Sequence, residues 1–513
     1  MSKRSLLGGT IILAIAGLIT RILGFVYRIY MSHLIGAEGM GLFQLVFPIY
    51  MLGYTLSSAG ISVAVSKLVA EENAKKSPAN AKKILHLSLV ISVGIAWILM
   101  MILLLGSNWI SQFILKDQRT ALSLGILAFS LPFMAAASTL KGYFYGLQEM
   151  DHPAASQVIE QIARMASIYF LAGWFIPKGL VYACAVSAIG MTIGEMVSFA
   201  YIYIAYKRSQ KKKTFSQSSY RVLSTSKGLA AILSIAMPLT MHRGFSSILQ
   251  SVETIMIPSR LQLFGLSYKT AISLYGQLSG MAMPLIFFPS IITNSLSMTL
   301  IPAISEASAL KNKHRVEYAS AKSLQISLIV GIGTACLFIL FSHPLAMLIY
   351  RQEDVGKILY SLAWLCPFLY FQSTLGGILN GLGEQMASFR HSIGGSGLRI
   401  FIIYFGVPLL GIQGFIWAMI LSALLVTSLH LNKIVQKTDL AIDYNLWILK
   451  PALAGIGASF ITLSIQKHLI TPYFSFGLAT VLSICFLALV YLLMIGALGC
   501  FSREDLKVIR KNM

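Results

Sequence analysis

Apolar residues fall in blocks of about 20 or more along the whole chain, separated by short polar segments. Each block is long enough to cross a hydrocarbon core of roughly 30 Å as a helix. Fourteen such runs are expected, at approximately 5–34, 41–69, 84–106, 120–141, 154–176, 180–206, 229–257, 271–304, 320–342, 359–382, 391–410, 414–432, 447–466 and 474–498. The pattern predicts an all-α, polytopic membrane bundle of about 14 transmembrane helices. A polar, basic stretch from Lys207 to Lys227, containing Lys207, Arg208, Lys211, Lys212, Lys213 and Arg221, separates the sixth run from the seventh.

The runs repeat. Pro132 to Glu149 reappears 235 positions later as Pro367 to Glu384, with nine ungapped identities including Pro132/Pro367, Ser138/Ser373, Thr139/Thr374, Gly142/Gly377, Gly146/Gly381 and Glu149/Glu384; chance would give roughly one or two. The same offset links Ser62/Ser297, Glu71/Glu306, Arg164/Arg399, Gly179/Gly414 and Ser187/Ser422. Six spans per copy is an even number, so the two copies run in the same sense as parallel repeats, an architecture of transporters. The expected domains are a six-helix lobe at 1–206, a cytoplasmic basic linker at 207–228, a second six-helix lobe at 229–434, and a C-terminal helix pair with a cytoplasmic tail at 435–513.

Composition agrees. With 56% hydrophobic and 11% charged residues and a mean hydropathy of +0.76, a water-soluble surface is out of reach. The formal charge of +22 could suggest nucleic acid, but its placement decides otherwise. With the N-terminus in the cytoplasm, most of the 40 Lys and Arg fall in cytoplasmic segments, so the charge reports orientation and contact with anionic membrane lipids, and no nucleic-acid partner is expected. The tail, with Arg503, Lys507, Arg510 and Lys511, is then cytoplasmic too. Lys3 and Arg4 ahead of an apolar run could mark a cleaved signal peptide, but removing that span would invert the charge bias of every later loop. Cys184, Cys336, Cys366, Cys485 and Cys500 lie in spans or at their inner edges, so no structural disulfide or metal-ligand spacing follows.

Charges at mid-membrane depth are costly and face water, a ligand or a partner. The cations are Arg21, Arg28, Lys67, Arg164, Arg243 and Arg399; the acids are Glu160, Glu195 and Glu253. The positive excess suits an anion. Arg21 and Arg28, seven residues apart, share one helix face, and the guanidinium fork matches phosphate or pyrophosphate. Arg28 could instead snorkel to the outer interface. Arg243 lies ten residues from Glu253, roughly 15 Å along a helix and too far to pair. Arg164, retained in both copies, reads as architectural, with Glu160 one turn before it as an ion-pair partner. Glu195 and Glu253 are candidates for ion coupling, or for a local hydrogen bond; Gln44 and Gln277 are candidate polar cavity residues. Pro48, Pro238, Pro284, Pro289 and Pro302 would kink or soften their spans, or simply reflect that proline is commoner in membrane helices than in soluble ones. No enzymatic motif and no ATP-binding domain is present, so no enzyme activity and no cofactor is expected; uphill transport would draw on an ion gradient, the membrane potential or removal of product.

The stretches Gly24-Phe25-Val-Tyr-Arg28, Ile35-Gly36-Ala-Glu38-Gly39-Met-Gly41-Leu42 and Ser66-Lys67-Leu68-Val69-Ala70-Glu71 closely resemble the start of the stage V sporulation protein B family of polysaccharide-biosynthesis proteins. That family belongs to the multidrug/oligosaccharidyl-lipid/polysaccharide (MOP) flippase superfamily, with the lipid II flippase MurJ among its relatives. The resemblance implies a two-lobed, V-shaped bundle that moves an undecaprenyl-pyrophosphate-linked saccharide from the inner to the outer leaflet by alternating access. It implies that Arg21, Arg28 and Arg243 meet the pyrophosphate, that Lys67 stands at the cytoplasmic mouth, and that the last two spans form a groove for the lipid tail. Partners would be the polyprenyl-pyrophosphate-linked glycan, membrane lipids and cell-wall synthesis proteins, and the location the cell membrane. The competing readings are a drug/cation antiporter of the same superfamily, which buried acids would favour, and a non-transporting scaffold for cell-wall synthesis, which would tolerate neutral substitutions throughout the cavity.

Overall fold

The computed structural model describes residues 6–212, 224–438 and 440–500. Lys3, Arg4, Lys213, Arg221 and the tail cations Arg503, Lys507, Arg510 and Lys511, which carry part of the expected charge bias, lie outside the described residues.

The described chain is helical and, among the described residues, contains no strand. The elements are α1 (Leu6–Tyr54), α2 (Gly60–Ala74), α3 (Pro78–Trp109), α4 (Ala121–Gly146), α5 (Asp151–Phe175), α6 (Leu180–Lys212), α7 (Thr225–Leu263), α8 (Tyr268–Tyr275), α9 (Met283–Phe287) and α10 (Ile291–Ala309). They continue as α11 (Lys313–Tyr350), α12 (Glu353–Ala363), α13 (Cys366–Gly381), α14 (Gln385–Leu410), α15 (Ile412–Thr438), α16 (Lys450–Ile465) and α17 (Phe476–Ala497). Inside α1, Gly36 is non-helical at φ 65°, a conformation that strains an L side chain and not glycine. The break falls in the gap expected between the first two apolar runs.

Among the described residues, nine helices are long and apolar enough to span a membrane, or up to eleven if each of two bent pairs is one span. The fourteen expected runs reduce to this number for two physical reasons. The first two join in the continuous stretch Ile15–Ala74, and α5 and α7 carry Glu160, Arg164, His242 and Arg243 in their apolar windows, which lowers their hydropathy. The bent pairs turn by 59° between Phe287 and Ile291 and by 54° between Ala363 and Cys366. Pro289 lies in the first break and Pro367 just beyond the second, where a missing amide hydrogen favours interruption.

The chain forms two compact units. Unit 1 takes the described chain up to Pro258 together with Tyr268–Gly276; unit 2 takes Ser259–Ser267 and the described chain from Gln277 onward. Unit 1 packs α3, α4 and α6 around a core that includes Val65, Leu85, Leu140, Phe144 and Ile202. There α8 lies directly on α1: a Cβ at Gly41 would strike the Ile272 carbonyl, and one at Gly276 the Ala37 carbonyl. Beside this crossing Arg119 bridges Asp117 (2.8 Å) and Glu38 (2.6 Å). In unit 2, α10, α11 and α13 surround Ile304, Leu324, Leu375 and Ile378. The C-terminal pair α16–α17 packs on α11, where Tyr491 donates to the Ile329 carbonyl at 2.9 Å.

Residues that recur at the fixed sequence offset make the same contact in each unit. Ser62 Oγ donates to the Ser138 carbonyl at 2.8 Å, and Ser297 Oγ to the Ser373 carbonyl at 2.9 Å. Gly142 and Gly377 leave no room for a Cβ against Ser62 and Ser297 respectively. The duplicated Ser and Gly positions are therefore the α2–α4 and α10–α13 crossings, small residues that let helix backbones approach where lipid supplies no hydrophobic drive.

Candidate functional site

Unit 1 contains a polar cavity of about 270 Å³ whose lining includes Tyr54, Ser62, Ser138, Lys141, Glu160 and Glu195. Its wall is built by close backbone approaches. Between α1 and α2 the segment Thr55–Ala59 is a π-turn, a local widening often found at functional sites. On α6, Gly190 and Gly194 let α5 come near: a Cβ on Gly194 would lie 3.0 Å from the Glu160 carbonyl. That approach sets Glu195, one residue on, beside Glu160.

The cavity's charges balance as two acids and two bases. Glu160 Oε1 receives Arg164 Nη2 at 2.8 Å, and Glu160 Oε2 lies 3.5 Å from Lys141 Nζ. Glu195 is 5% exposed and, among the described residues, makes no hydrogen bond or ion pair. Lys141 and Arg164 attract its charge at longer range and Glu160 opposes it. A buried carboxylate facing a polar cavity with cations one shell away can accept a proton or a small cation, or hydrogen-bond a hydroxyl.

The cations expected to meet an anion are spread along unit 1. Arg21 is exposed on α1, Arg28 is half-buried beyond the buried Tyr27, and Lys67 is exposed on α2. Arg243 is exposed on α7 and donates from Nη1 to the Ala59 carbonyl at 3.2 Å, so it stands at the π-turn between Tyr54 and Ser62, two residues that line the cavity. The same contact fixes α7, because Gly60 abuts Thr240 and Ala236 with no space for a side chain, and Thr55 Oγ1 lies 3.3 Å from Ser247 Oγ. Gln44 is half-buried on α1, and Glu253 is 8% exposed on α7. Gln277 belongs to unit 2, where its Nε2 donates to Gln352 Oε1 at 3.2 Å. Arg399 is half-buried on α14 of unit 2. No group of three or more metal-ligating side chains occurs among the described residues.

The sequence singles out Glu160 with Arg164 as an ion pair and Glu195 as a candidate coupling acid, but does not join them in one cavity or point to Lys141, Tyr54, Gln157 or Ser138 beside them. The repeat held a usable signal. At the 235-residue offset Lys141 faces Gly376, Glu160 faces Gly395 and Glu195 faces His430, while Arg164 keeps its counterpart Arg399. Three ionisable groups that break the internal symmetry, Lys141, Glu160 and Glu195, line the cavity, whereas the retained Ser62/Ser297 and Gly142/Gly377 make helix crossings.

The sequence profile described as polysaccharide biosynthesis protein matches residues 6–308, and that of MatE matches residues 278–405. Stage V sporulation protein B of Bacillus subtilis (strain 168) is 30% identical over 513 residues, 99% of this chain and 98% of that protein. The lipid II flippase MurJ of the same strain is 24% identical over 498 residues, 90% of this chain and 88% of that protein. Among solved structures, lipid II flippase MurJ in an inward closed conformation aligns with a TM-score of 0.72 at 16% identity, covering 95% of this chain and 99% of that one, a likeness of fold.

Proposed function

Because this chain belongs to the polysaccharide biosynthesis protein family, within the MOP superfamily of multi-pass membrane transporters, we propose that it is a flippase for an undecaprenyl-pyrophosphate-linked saccharide. Cargo passes from the inner to the outer leaflet by alternating access, and a lipid II-like peptidoglycan precursor is the favoured glycan. Both termini lie in the cytoplasm, the side from which the cargo enters.

One observation supports this reading most. Arg21 and Arg243 are exposed side chains inside apolar helices of unit 1, and an exposed guanidinium at such a position needs water or an anion against it. Arg243 commits one donor to Ala59 and keeps the rest of its five-donor fork for a ligand. A pyrophosphate offers the charge-assisted, bidentate contacts that this fork fits. Arg28 extends the same face of α1, Lys67 collects the anion at the mouth, and Gln44 contributes a polar contact to the sugar; Gln277 is the candidate polar residue of unit 2. Glu195, buried beside the cavity, is the coupling acid, with Glu253 as the second candidate. The MatE match over residues 278–405 favours a drug/cation antiporter as the second reading; it predicts that the acids, not the arginines, control cargo binding.

Purified protein in proteoliposomes, assayed for translocation of lipid II and of other undecaprenyl-linked glycans, tests the assignment. Arg21→Ala and Arg243→Ala should each slow translocation by about 10-fold or more, the loss expected for a hydrogen bond to a charged group worth roughly 1.5–3 kcal/mol. Lys at either position should restore only part of it. Full activity of the double Ala variant would remove the anion site.

A further inference from the structure

In unit 2, His391 on α14 and His430 on α15 lie with ring centroids 5.2 Å apart. His430 is 2% exposed. Both of its ring nitrogens, Nδ1 of His391 and Oγ1 of Thr427, one turn before His430, are buried and make no well-formed hydrogen bond, although the Ser388 backbone lies within reach of the His430 ring. Four polar atoms without a well-formed hydrogen bond in one patch are unusual in a folded interior, where nearly every such group is satisfied. The position is also singled out by the repeat: His430 occupies the offset of Glu195, so each copy buries a titratable side chain at the same place on the last helix of its six.

We infer that His391 and His430 form a proton-binding site in unit 2, holding one shared proton between the two rings. A proton from water adds to a ring nitrogen lone pair on one imidazole, and the resulting N–H donates to a lone pair on the other. Histidine χ2 turns easily, so a small rotation at this separation brings the nitrogens together. Two neutral imidazoles can share one proton in this way, which a pair of ordinary core side chains cannot do.

The surroundings determine what the added charge does. On α14 the Ser388 backbone faces the His430 ring, and Arg390 and, two turns beyond His391, Arg399 are cationic; on α15 Lys433 and Lys437 follow His430. Glu384, at the turn between α13 and α14, is held by Lys437 at 2.8 Å and Lys433 at 3.6 Å, and those lysines keep its carboxyl below the usual range. α13 carries no charged residue, α12 meets α15 at the opposite end, where Gln413 donates to Ser361, and the near end of α11 carries Lys313, His314, Arg315, Glu317 and Lys322. No acid on α14 or α15 faces the pair, so a bound proton pushes against Arg390 and Lys433 and weakens the Lys433–Glu384 tie. At Gly395, one turn past His391, a Cβ would strike Val426, so α14 and α15 cannot close further to absorb the change.

The site is tested on the full chain, 15N-labelled at histidine in lipid nanodiscs, with ring signals assigned by His391→Asn and His430→Asn. Across about pH 8 to about pH 3.5 the two rings should titrate together with the amplitude of one proton, and each substitution should shift the other ring's midpoint by about one pH unit or more. Independent titration of the two rings, no titration in that window, or displacement of the signals by Zn2+ in place of protons would overturn the inference. If His430→Asn fails to fold, the half-buried His391→Asn carries the same test. A role in transport rests on the flippase reading: in proteoliposomes either Asn variant should lose the response of translocation rate to an imposed pH gradient, and an unchanged response would exclude coupling through this pair. If the unsubstituted protein moves no lipid-linked saccharide, the flippase reading fails and the ring titration alone decides the site.

Discussion

Glu160 is the side chain on which the cavity's charge balance turns, and replacing it by Gln isolates that charge. Arg164 Nη2 lies 2.8 Å from one carboxylate oxygen and Lys141 Nζ 3.5 Å from the other, with side chains 15%, 14% and 18% exposed for Arg164, Lys141 and Glu160. The Glu160→Gln substitution keeps the shape and an acceptor for Arg164, and Glu195 remains within electrostatic reach of both cations. Removing one partner of a buried pair costs roughly 3–5 kcal/mol, so with those compensations about 2–3 kcal/mol is expected. Adding Arg164→Met to Glu160→Gln should recover most of the loss, because a neutral, well-packed pair is close in energy to a buried ionic one. Glu195→Gln breaks no contact and should leave stability unchanged or raised. Thermal unfolding of the purified protein in one detergent, followed by tryptophan fluorescence, ranks the variants. Strictly additive losses in the Glu160–Arg164 cycle, with a coupling below about 0.5 kcal/mol, would refute the account of the cavity as a charge-balanced unit.

Two further outcomes follow from orientation and from the C-terminal pair. In a background without native cysteines, Ser226→Cys should resist an impermeant thiol reagent in intact cells, while Lys178→Cys and Lys467→Cys should react; labelling at Ser226 from outside would reverse the topology and the side of cargo entry. The pair α16–α17 exposes Ile456, Phe460 and Leu489, so photocrosslinkers there should capture a polyprenyl-linked substrate, and Trp at these positions should slow it more than a short-chain analogue; equal slowing with no crosslink would leave the pair as a buttress of α11.

The helical, membrane-embedded character and the duplication were legible in the sequence because apolar length and repeat identity are properties of single positions and offsets. The break near Gly36 was visible as a gap between runs for the same reason. The cavity was not. Its members come from the end of α1, the start of α2, α4, α5 and α6, and their convergence depends on which helices lack a Cβ at the contact, as at Gly142, Gly190 and Gly194. Lys141 was hidden for a more specific cause: it lies inside the most strongly duplicated window, yet its own counterpart is Gly376, so the repeat does not mark it. A duplicated transporter needs the packing residues twice, because each copy must make the same crossings. A charge introduced in one copy alone must find its own compensation within that copy. Lys141, Glu160 and Glu195 do so with Arg164 around the cavity of unit 1. At the corresponding positions unit 2 has two glycines and His430, and there the charge that remains to be placed is a proton.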